Sequence, residues 1–249
     1  MGIQVVERTF AVLDALSGTD GEIRLGELAV RTTLPKSTLS RILATLADLD
    51  VVARGAADGS YRLGPRARLL AGPGSFEEVL VRAARPELRR LVADLDEDLG
   101  LGVPDGHHVR YVDQVRSHRP VRIRDYVGER MPAHTTAAGL ILLADLDEEE
   151  FAAYLSHPLD AYGPGTPIDP QALGAAVDEV RNTGRAWTFE AWADGINGAA
   201  VGIRSDAGQL LAVINVFGPS YRFPGDRDRG QLGARLAAAA DEITHRQAI

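Results

Sequence analysis

Cysteine is absent from the 249 residues, which excludes disulfides, thiol catalysis and cysteine-ligated metal. A chain without cysteine suits a reducing interior, and a cytoplasmic location is expected. Long apolar runs are also missing, so no membrane-spanning helix is expected. The opening MGIQVVERTF is too charged, and its apolar run too short, for a secretory signal. It also lacks the Ser or Thr that an N-myristoylation signal places after Met-Gly. Catalytic signatures are absent: there is no G-x-S-x-G and no Walker loop, and Gly100-x-Gly102 falls inside a strand-like run. The histidines at 107, 108, 118, 134, 157 and 245 show no metal-ligand spacing. His107-His108 fall in an expected hairpin turn, where solvated imidazoles are ordinary. Asp147-Glu148-Glu149-Glu150 opens a helical segment, where acids favour the positive pole rather than a metal. No catalytic residue, metal or cofactor is assigned. Lysine is nearly absent as well: Lys36 is alone, and all other cationic residues are arginine.

That lysine stands in the most informative stretch, Leu34 to Leu49, reading LPKSTLSRILATLADL. Leu39, Ile42, Leu43, Leu46 and Leu49 recur at helical spacing and form one apolar stripe. Ser37, Ser40, Arg41, Ala44 and Thr45 fall on the other side, and Pro35 suits a first helical turn. The helix would thus expose small hydroxyls and one arginine. Lys36 would lie near the N-terminal end, whose free N–H groups suit phosphate. Upstream, Glu22 to Thr32 reads as a shorter helix with Leu25, Leu28 and Ala29 on one side, and Thr33-Leu34 leaves only a tight turn. That pattern is helix-turn-helix. Downstream, Val51 to Arg54 and Ser60 to Leu63 read as strands around a turn marked by Asp58-Gly59. Together they predict a winged helix-turn-helix, preceded by a helix at Val5 to Leu16 whose Val6, Phe10, Leu13 and Leu16 should pack inwards. Ser17 to Gly21 supplies its turn chemistry, and Ile23 should add a short strand beside the wing.

Charge is unevenly divided. Residues 1–72 hold nine Lys and Arg against eight acids, a net of +1, whereas the rest carries a net of −9. A head at +1 cannot hold DNA by bulk charge; it needs specific contacts and more than one copy, so a homodimer or homotetramer is expected.

Ala71-Gly72-Pro73-Gly74 marks the boundary, and Ser75 with Glu78 forms a capping box for a helix running to Pro86, where a second helix starts or the first kinks. Leu99 to Pro104, Val109 to Val115 and Val121 to Ile123 then read as strands, with Asp105-Gly106 at the first hairpin turn. Helices are expected from Thr135 or Thr136, at Asp147 to Tyr154, and at Pro170 to Asn182 with Asp169 as cap. Trp187 to Glu190, Ala200 to Arg204 and Leu210 to Phe217 are strands, and a helix from Asp226 to His245 closes the chain on Leu232, Leu236 and Ala240. Strands, helices, strands and a final helix imply an α+β domain with an antiparallel sheet. The division expected is 1–70 for the DNA head, 71–86 for a linker helix and 87–249 for the second domain.

Val5 to Leu70 resembles the DNA-binding domain of IclR-type bacterial transcriptional regulators. The residues that carry the match are Leu25, Glu27, Leu28, Ala29, then Leu34-Pro35-Lys36-Ser37-Thr38, Arg41, Leu43, Leu46 and Tyr61-Arg62-Leu63-Gly64-Pro65. Arg24 stands where the family usually has a capping Thr, and Thr33 where it has a turn Gly. The remainder resembles the family's GAF-like effector domain through Gly128-Glu129-Arg130-Met131-Pro132-Ala133-His134, Gly139, Gly195-Ile196-Asn197 and Gly218-Pro219. The resemblance implies a regulator that binds a pseudo-palindromic duplex and answers to a small-molecule effector. Arg41 is expected to read a base, Ser37, Thr38 and Ser40 to meet phosphate or base edges, and Lys36, Arg54 and Arg62 to meet the DNA backbone.

For the effector, the resemblance implies a pocket at Ala137, Ala138, Thr188, Gly198, Asn215 and Phe217, with the N–H groups of 137 and 138 facing a carboxylate. Thr188 replaces a common Asp, Gly198 a Cys, Asn215 and Phe217 serines, and Leu140 a Lys. These departures imply a bulkier, less polar organic or aromatic acid than a small keto acid. Two other readings stay open: a ligand-binding protein whose winged helix contacts proteins, and an enzyme.

Overall fold

A computed structural model describes residues 3–17, 22–55, 59–70, 76–121, 123–206 and 208–247. It divides into two units, Met1–Phe76 and Glu77–Ile249, each with its own core. The turn from Gly18 to Gly21, Asp58, the Ala71 to Gly74 boundary and the Ser75 cap lie outside the described residues.

The first unit runs α1 (Gln4–Ser17), β1 (Ile23–Arg24), α2 (Leu25–Thr32), α3 (Lys36–Asp48), β2 (Val52–Arg54), β3 (Ser60–Leu63) and α4 (Pro65–Leu70). Leu39, Ile42, Leu43 and Leu46 of α3 are buried with Leu28 of α2, Val12 and Leu16 of α1, and Val52. Burial of this stripe holds the helix more than propensity does. The strands form a small antiparallel sheet in the order β1-β3-β2. The unit is therefore a winged helix-turn-helix.

Three local expectations change. Pro35 caps α3 rather than entering its first turn. On α1, Val6 and Phe10 remain 46% and 61% exposed, while Val12 and Leu16 enter the core. Two apolar stripes share that helix, and the one centred on Val12 meets α2 and α3. Helix α4 follows Gly64 where no element was expected.

The second unit begins with α5 (Phe76–Leu95), then β4 (Asp98–Asp105), β5 (His108–Val115) and β6 (Arg130–Pro132). A single 3-10 turn (Ala133–Thr135) leads into α6 (Ala137–Asp145), α7 (Glu148–Leu155) and α8 (Pro170–Thr183). Strands β7 (Arg185–Phe189), β8 (Ile196–Arg204) and β9 (Leu210–Pro219) and helix α9 (Arg229–Gln247) complete it. The sheet is antiparallel in the order β6-β5-β4-β9-β8-β7. One face, carrying Leu101, Val201 and Ile214, buries Leu80, Ala84 and Leu88 of α5 and Leu232 and Leu236 of α9. The other, carrying Val109, Val213 and Phe217, meets α6 and α8. A GAF-like α+β sandwich results.

Pro86 does not end α5, which continues through it to Leu95. The residues before the proline bury in the same core as those after it, and that packing outweighs the lost hydrogen bond. No strand forms at Val121 or Ile123; the edge strand is β6 instead, where a terminal proline is tolerated. Among the described residues no helix is long and apolar enough to cross a membrane.

Candidate nucleic-acid interface and ligand cavity

Helix α3 turns Lys36, Ser37, Ser40, Arg41, Ala44 and Thr45 to solvent, and Thr38 is half-buried. Thr45 spends its hydroxyl on the Arg41 carbonyl at 3.1 Å, so it is no free donor outwards. Arg41 is shared between two surfaces. It stands on the exposed face, and with Thr38 and Thr45 it also borders a groove whose other bank is Val5, Arg8 and Thr9 of α1. Lys36 and Arg41 form no ion pair among the described residues, which leaves both available to an anion.

The wing does not bring its two arginines together. Ala53 pairs with Arg62 and Arg54 with Tyr61. Cross-strand partners share a face and neighbours along a strand alternate, so Arg54 and Arg62 lie on opposite faces of the hairpin. Both are exposed. With Arg24 in place of a capping Thr, no side-chain bond closes the start of α2, and Thr33 ends that helix in the left-handed region at φ 53°.

In the second unit, a small cavity of about 30 Å³ opens between the sheet and the start of α6. One wall is aromatic: Tyr111, Tyr126, Trp192 and Phe217. Tyr126 sits edge-on to Phe217 at 5.8 Å and to Trp192 at 6.4 Å, between ring centroids. Gly100 makes room for this wall, since a Cβ there would stand 2.7 Å from the Tyr111 ring. The sheet floor is Thr188, Asn197, Gly198 and Asn215, and Met131, Thr136 and Ala137 close the side nearest α6.

Polar groups in the cavity are few. Thr136 caps α6, its Oγ1 accepting from the Gly139 N–H at 3.0 Å. The N–H groups of Ala137 and Ala138 lie in the first turn of α6, before its internal hydrogen bonds begin, and have no hydrogen-bond partner among the described residues. Asn197 is committed elsewhere: it donates to the Phe223 carbonyl at 2.7 Å and accepts from the Glu190 N–H at 3.2 Å. Asn215 donates through Nδ2 to the Tyr111 hydroxyl at 2.7 Å. Burial pushes the Tyr111 phenol far above its ordinary pKa, so it stays protonated.

Of the six positions expected at an effector pocket, Ala137, Thr188, Gly198, Asn215 and Phe217 line this cavity. Ala138 is buried beside it without lining it. Sequence reasoning passed over Tyr111, Tyr126 and Trp192. Tyr126 and Trp192 sit in loops, where no periodicity points inwards; Tyr111 alternates inwards on β5 and was discoverable from that pattern.

His107, in the β4–β5 turn, is exposed as expected and lies edge-on to Tyr154 at 5.1 Å. His108 is half-buried, and desolvation foremost holds its pKa below the ordinary imidazole value. His134 is buried, with Nδ1 2.8 Å from the Tyr154 hydroxyl and Nε2 2.9 Å from the Asp160 carbonyl. That carbonyl can only accept, so Nε2 carries the proton and Nδ1 accepts from Tyr154. The imidazole is fully engaged, tying α7 to the loop at Asp160.

Comparison with known proteins gives the same two-part division. Residues 77–245 match the family described as bacterial transcriptional regulator IclR C-terminal, and residues 5–55 match the IclR helix-turn-helix domain. Over 236 residues the chain is 34% identical to an HTH-type transcriptional regulator of Mycobacterium tuberculosis, covering 95% of this chain and 90% of that protein. It is 29% identical over 245 residues to the acetate operon repressor of Salmonella typhimurium, covering 97% and 89%. Among solved structures, an IclR homolog from Microbacterium hydrocarbonoxydans complexed with 4-hydroxybenzoate is 28% identical, with a TM-score of 0.63 and coverage of 97% and 98%.

Proposed function

Because this chain belongs to the IclR family of bacterial transcriptional regulators, we propose that its winged helix reads a pseudo-palindromic operator and that an organic or aromatic acid in the cavity controls that binding. The family is one of regulators, not enzymes. The cavity carries the effector half of the reading. Its ring-lined wall suits a flat apolar body, and the free N–H groups at the start of α6 suit a carboxylate. The 4-hydroxybenzoate held by the Microbacterium homolog supports an acid of that size.

In the DNA half, Arg41 holds a guanine edge, Ser37, Thr38 and Ser40 fix the helix on phosphates and base edges, and Lys36 with one of the two wing arginines, Arg54 or Arg62, neutralises backbone. A head of net charge +1 gains too little from charge alone, so two heads on successive major grooves are needed, in a homodimer or homotetramer. The functional division follows: residues 1–70 bind DNA, 71–86 connect, and 87–249 sense. An effector regulates only through unequal affinity for two arrangements of the protein. Helix α5, buried from Leu80 to Leu95 in the core of the second unit, is the covalent route by which such a difference reaches the head.

The experiment is a titration of the full chain onto DNA from upstream of its own coding region, followed by anisotropy and footprinting. A protected, two-fold-related site with steep salt dependence is expected, shifted by an aromatic acid. Salt-independent or unprotected binding would remove the DNA half. Unchanged operator affinity across a series of carboxylic acids would remove the effector half.

A further inference from the structure

The cavity beside α6 is too small, as it stands, for any aromatic ring. At about 30 Å³ it has room for little more than a water molecule, whereas a cavity that takes up benzene measures about 150 Å³. Beside it lies a hollow of about 500 Å³ that is open to solvent. Tyr126, Trp192 and Ile196 line both spaces, so these three side chains are the partition between them.

The three are not held alike. Tyr126 is buried, its backbone N–H donates to Gln114 at 3.0 Å, and its ring stands edge-on to Phe217. Ile196 is fixed in β8 by pairing with Pro219. Trp192 lies half-buried in the turn between β7 and β8, and its indole N–H forms no hydrogen bond among the described residues. Rings hold it instead: Tyr162 lies nearly parallel to it, 5.1 Å between centroids at 19°, and Tyr126 stands edge-on at 6.4 Å. Tyr162 belongs to the strap that joins α7 to α8, and that strap is pinned to the same turn. Thr166 Oγ1 donates to the Ala191 carbonyl at 2.6 Å, and the Gly165 N–H donates to the Glu190 carbonyl at 3.1 Å. Contact is so close that a Cβ at Gly165 would collide with the Phe189 carbonyl. The pinned strap thus offers Tyr162 as a plate against which the indole rests.

We propose that Trp192 is a gate. Leaving the face of Tyr162, it joins the inner cavity to the outer hollow and admits a body of aromatic size; returning, it shuts the inner space from solvent. A stacked aromatic pair shifts an equilibrium by a factor of about two to ten, enough to favour the closed form without locking it. Entry then waits on opening, and the open fraction scales the affinity observed. That the gate serves an effector rests on the reading above. That Trp192 closes the cavity rests on the two volumes and the ring contacts alone.

The lack of cysteine supplies the test. Ala137 is buried and lines the inner space, so Ala137→Cys puts the chain's sole thiol behind the gate. Its modification by benzyl methanethiosulfonate, followed on the full chain by mass spectrometry, reports opening. Labelling should be slow and insensitive to low urea, because a local opening exposes little surface. Adding Trp192→Ala should speed it about tenfold or more, and adding Tyr162→Ala instead about two- to tenfold. Tyr162→Phe keeps the plate and should leave the rate alone, as should Tyr221→Ala, which removes an exposed ring elsewhere. Two separate gate variants keep the result from hanging on one variant's folding, which thermal unfolding reports. A rate unchanged by both alanine variants overturns the gate, as does a rate that climbs steeply from the first additions of urea. Repeating the assay with 4-hydroxybenzoate separates the two readings: gated labelling that the acid does not slow upholds the gate and counts against the cavity as the effector site.

Discussion

Arg222 grips the carboxylate of Glu97 through both oxygens, Nε to Oε1 at 3.0 Å and Nη2 to Oε2 at 2.9 Å. Glu97 is wholly buried just before β4, and Arg222 lies just after β9, so the pair fastens the ends of two neighbouring central strands. Gly218 leaves space for it, since a Cβ there would lie 2.6 Å from Glu97 Oε2. Arg227 stands farther off at 3.8 Å. Arg222→Ala would leave a buried charge with that one distant partner, a situation that costs about 3–5 kcal/mol. Urea unfolding followed by tryptophan fluorescence reports it, because both tryptophans, Trp187 and Trp192, lie in the second unit. A loss below about 1 kcal/mol would mean that Glu97 finds another partner or takes up a proton.

Thr136 links stability to binding. Its side chain closes the first turn of α6, and it also lines the cavity beside Ala137. Thr136→Ala should destabilise the second unit by about 1 kcal/mol through the lost cap. It should weaken aromatic-acid binding as well, because the N–H groups proposed to face a carboxylate are no longer fixed. Thr136→Ser keeps the hydroxyl and should recover both. An alanine variant with unaltered melting and unaltered calorimetry would remove the cap from the account.

How far these features were legible in the sequence depends on whether the signal is local. The α3 stripe from Leu39 to Leu46, the β2–β3 wing and the Asp169 cap, which accepts from the Ala172 N–H at 2.9 Å, are written in neighbouring residues and appear where periodicity and cap chemistry put them, whereas Leu49, expected on the stripe, lies past the end of α3 and is exposed. The inward face of α1 was misjudged because Val6 and Phe10 form a second apolar stripe, and only α2 and α3 decide which stripe is buried. Strand β6 was invisible for the same reason: Arg130-Met131-Pro132 becomes a strand by pairing with β5. Tyr126 and Trp192 reach the cavity from loops that distant hydrogen bonds hold, such as the Tyr126 N–H to Gln114 at 3.0 Å. Alternation along β9 put Asn215 and Phe217 on one face, but the unpaired state of Asn215 Oδ1 needed coordinates.

Thr33 is a site where stability can be raised. It ends α2 at φ 53°, a region that suits glycine and burdens a β-branched side chain. Thr33→Gly relieves that strain, less the entropy glycine loses on folding, for a net gain of about 1 kcal/mol in the first unit. Differential scanning calorimetry of the full chain would register it as a higher temperature for that unit's transition, with operator affinity unchanged. A lower temperature would show that contacts of the Thr33 side chain outweigh its backbone strain.

The DNA interface yields a prediction that separates base reading from backbone contact. Arg41→Ala should cost about 1–3 kcal/mol at one base position of each half-site and relax preference there. Lys36→Ala should weaken all sequences alike and lower the slope of log K against log salt by about one per protomer. The wing supplies the sharper case. Arg54 pairs with Tyr61 and Arg62 with Ala53, which puts the two guanidinium groups on opposite faces of the hairpin. A wing laid against a duplex presents one face to phosphate, so replacing both arginines by alanine should lower the slope by about one per protomer rather than two. Measuring the slope for each single variant and the double variant identifies the contacting face. A drop of two would mean that the hairpin edge, not a face, meets the backbone.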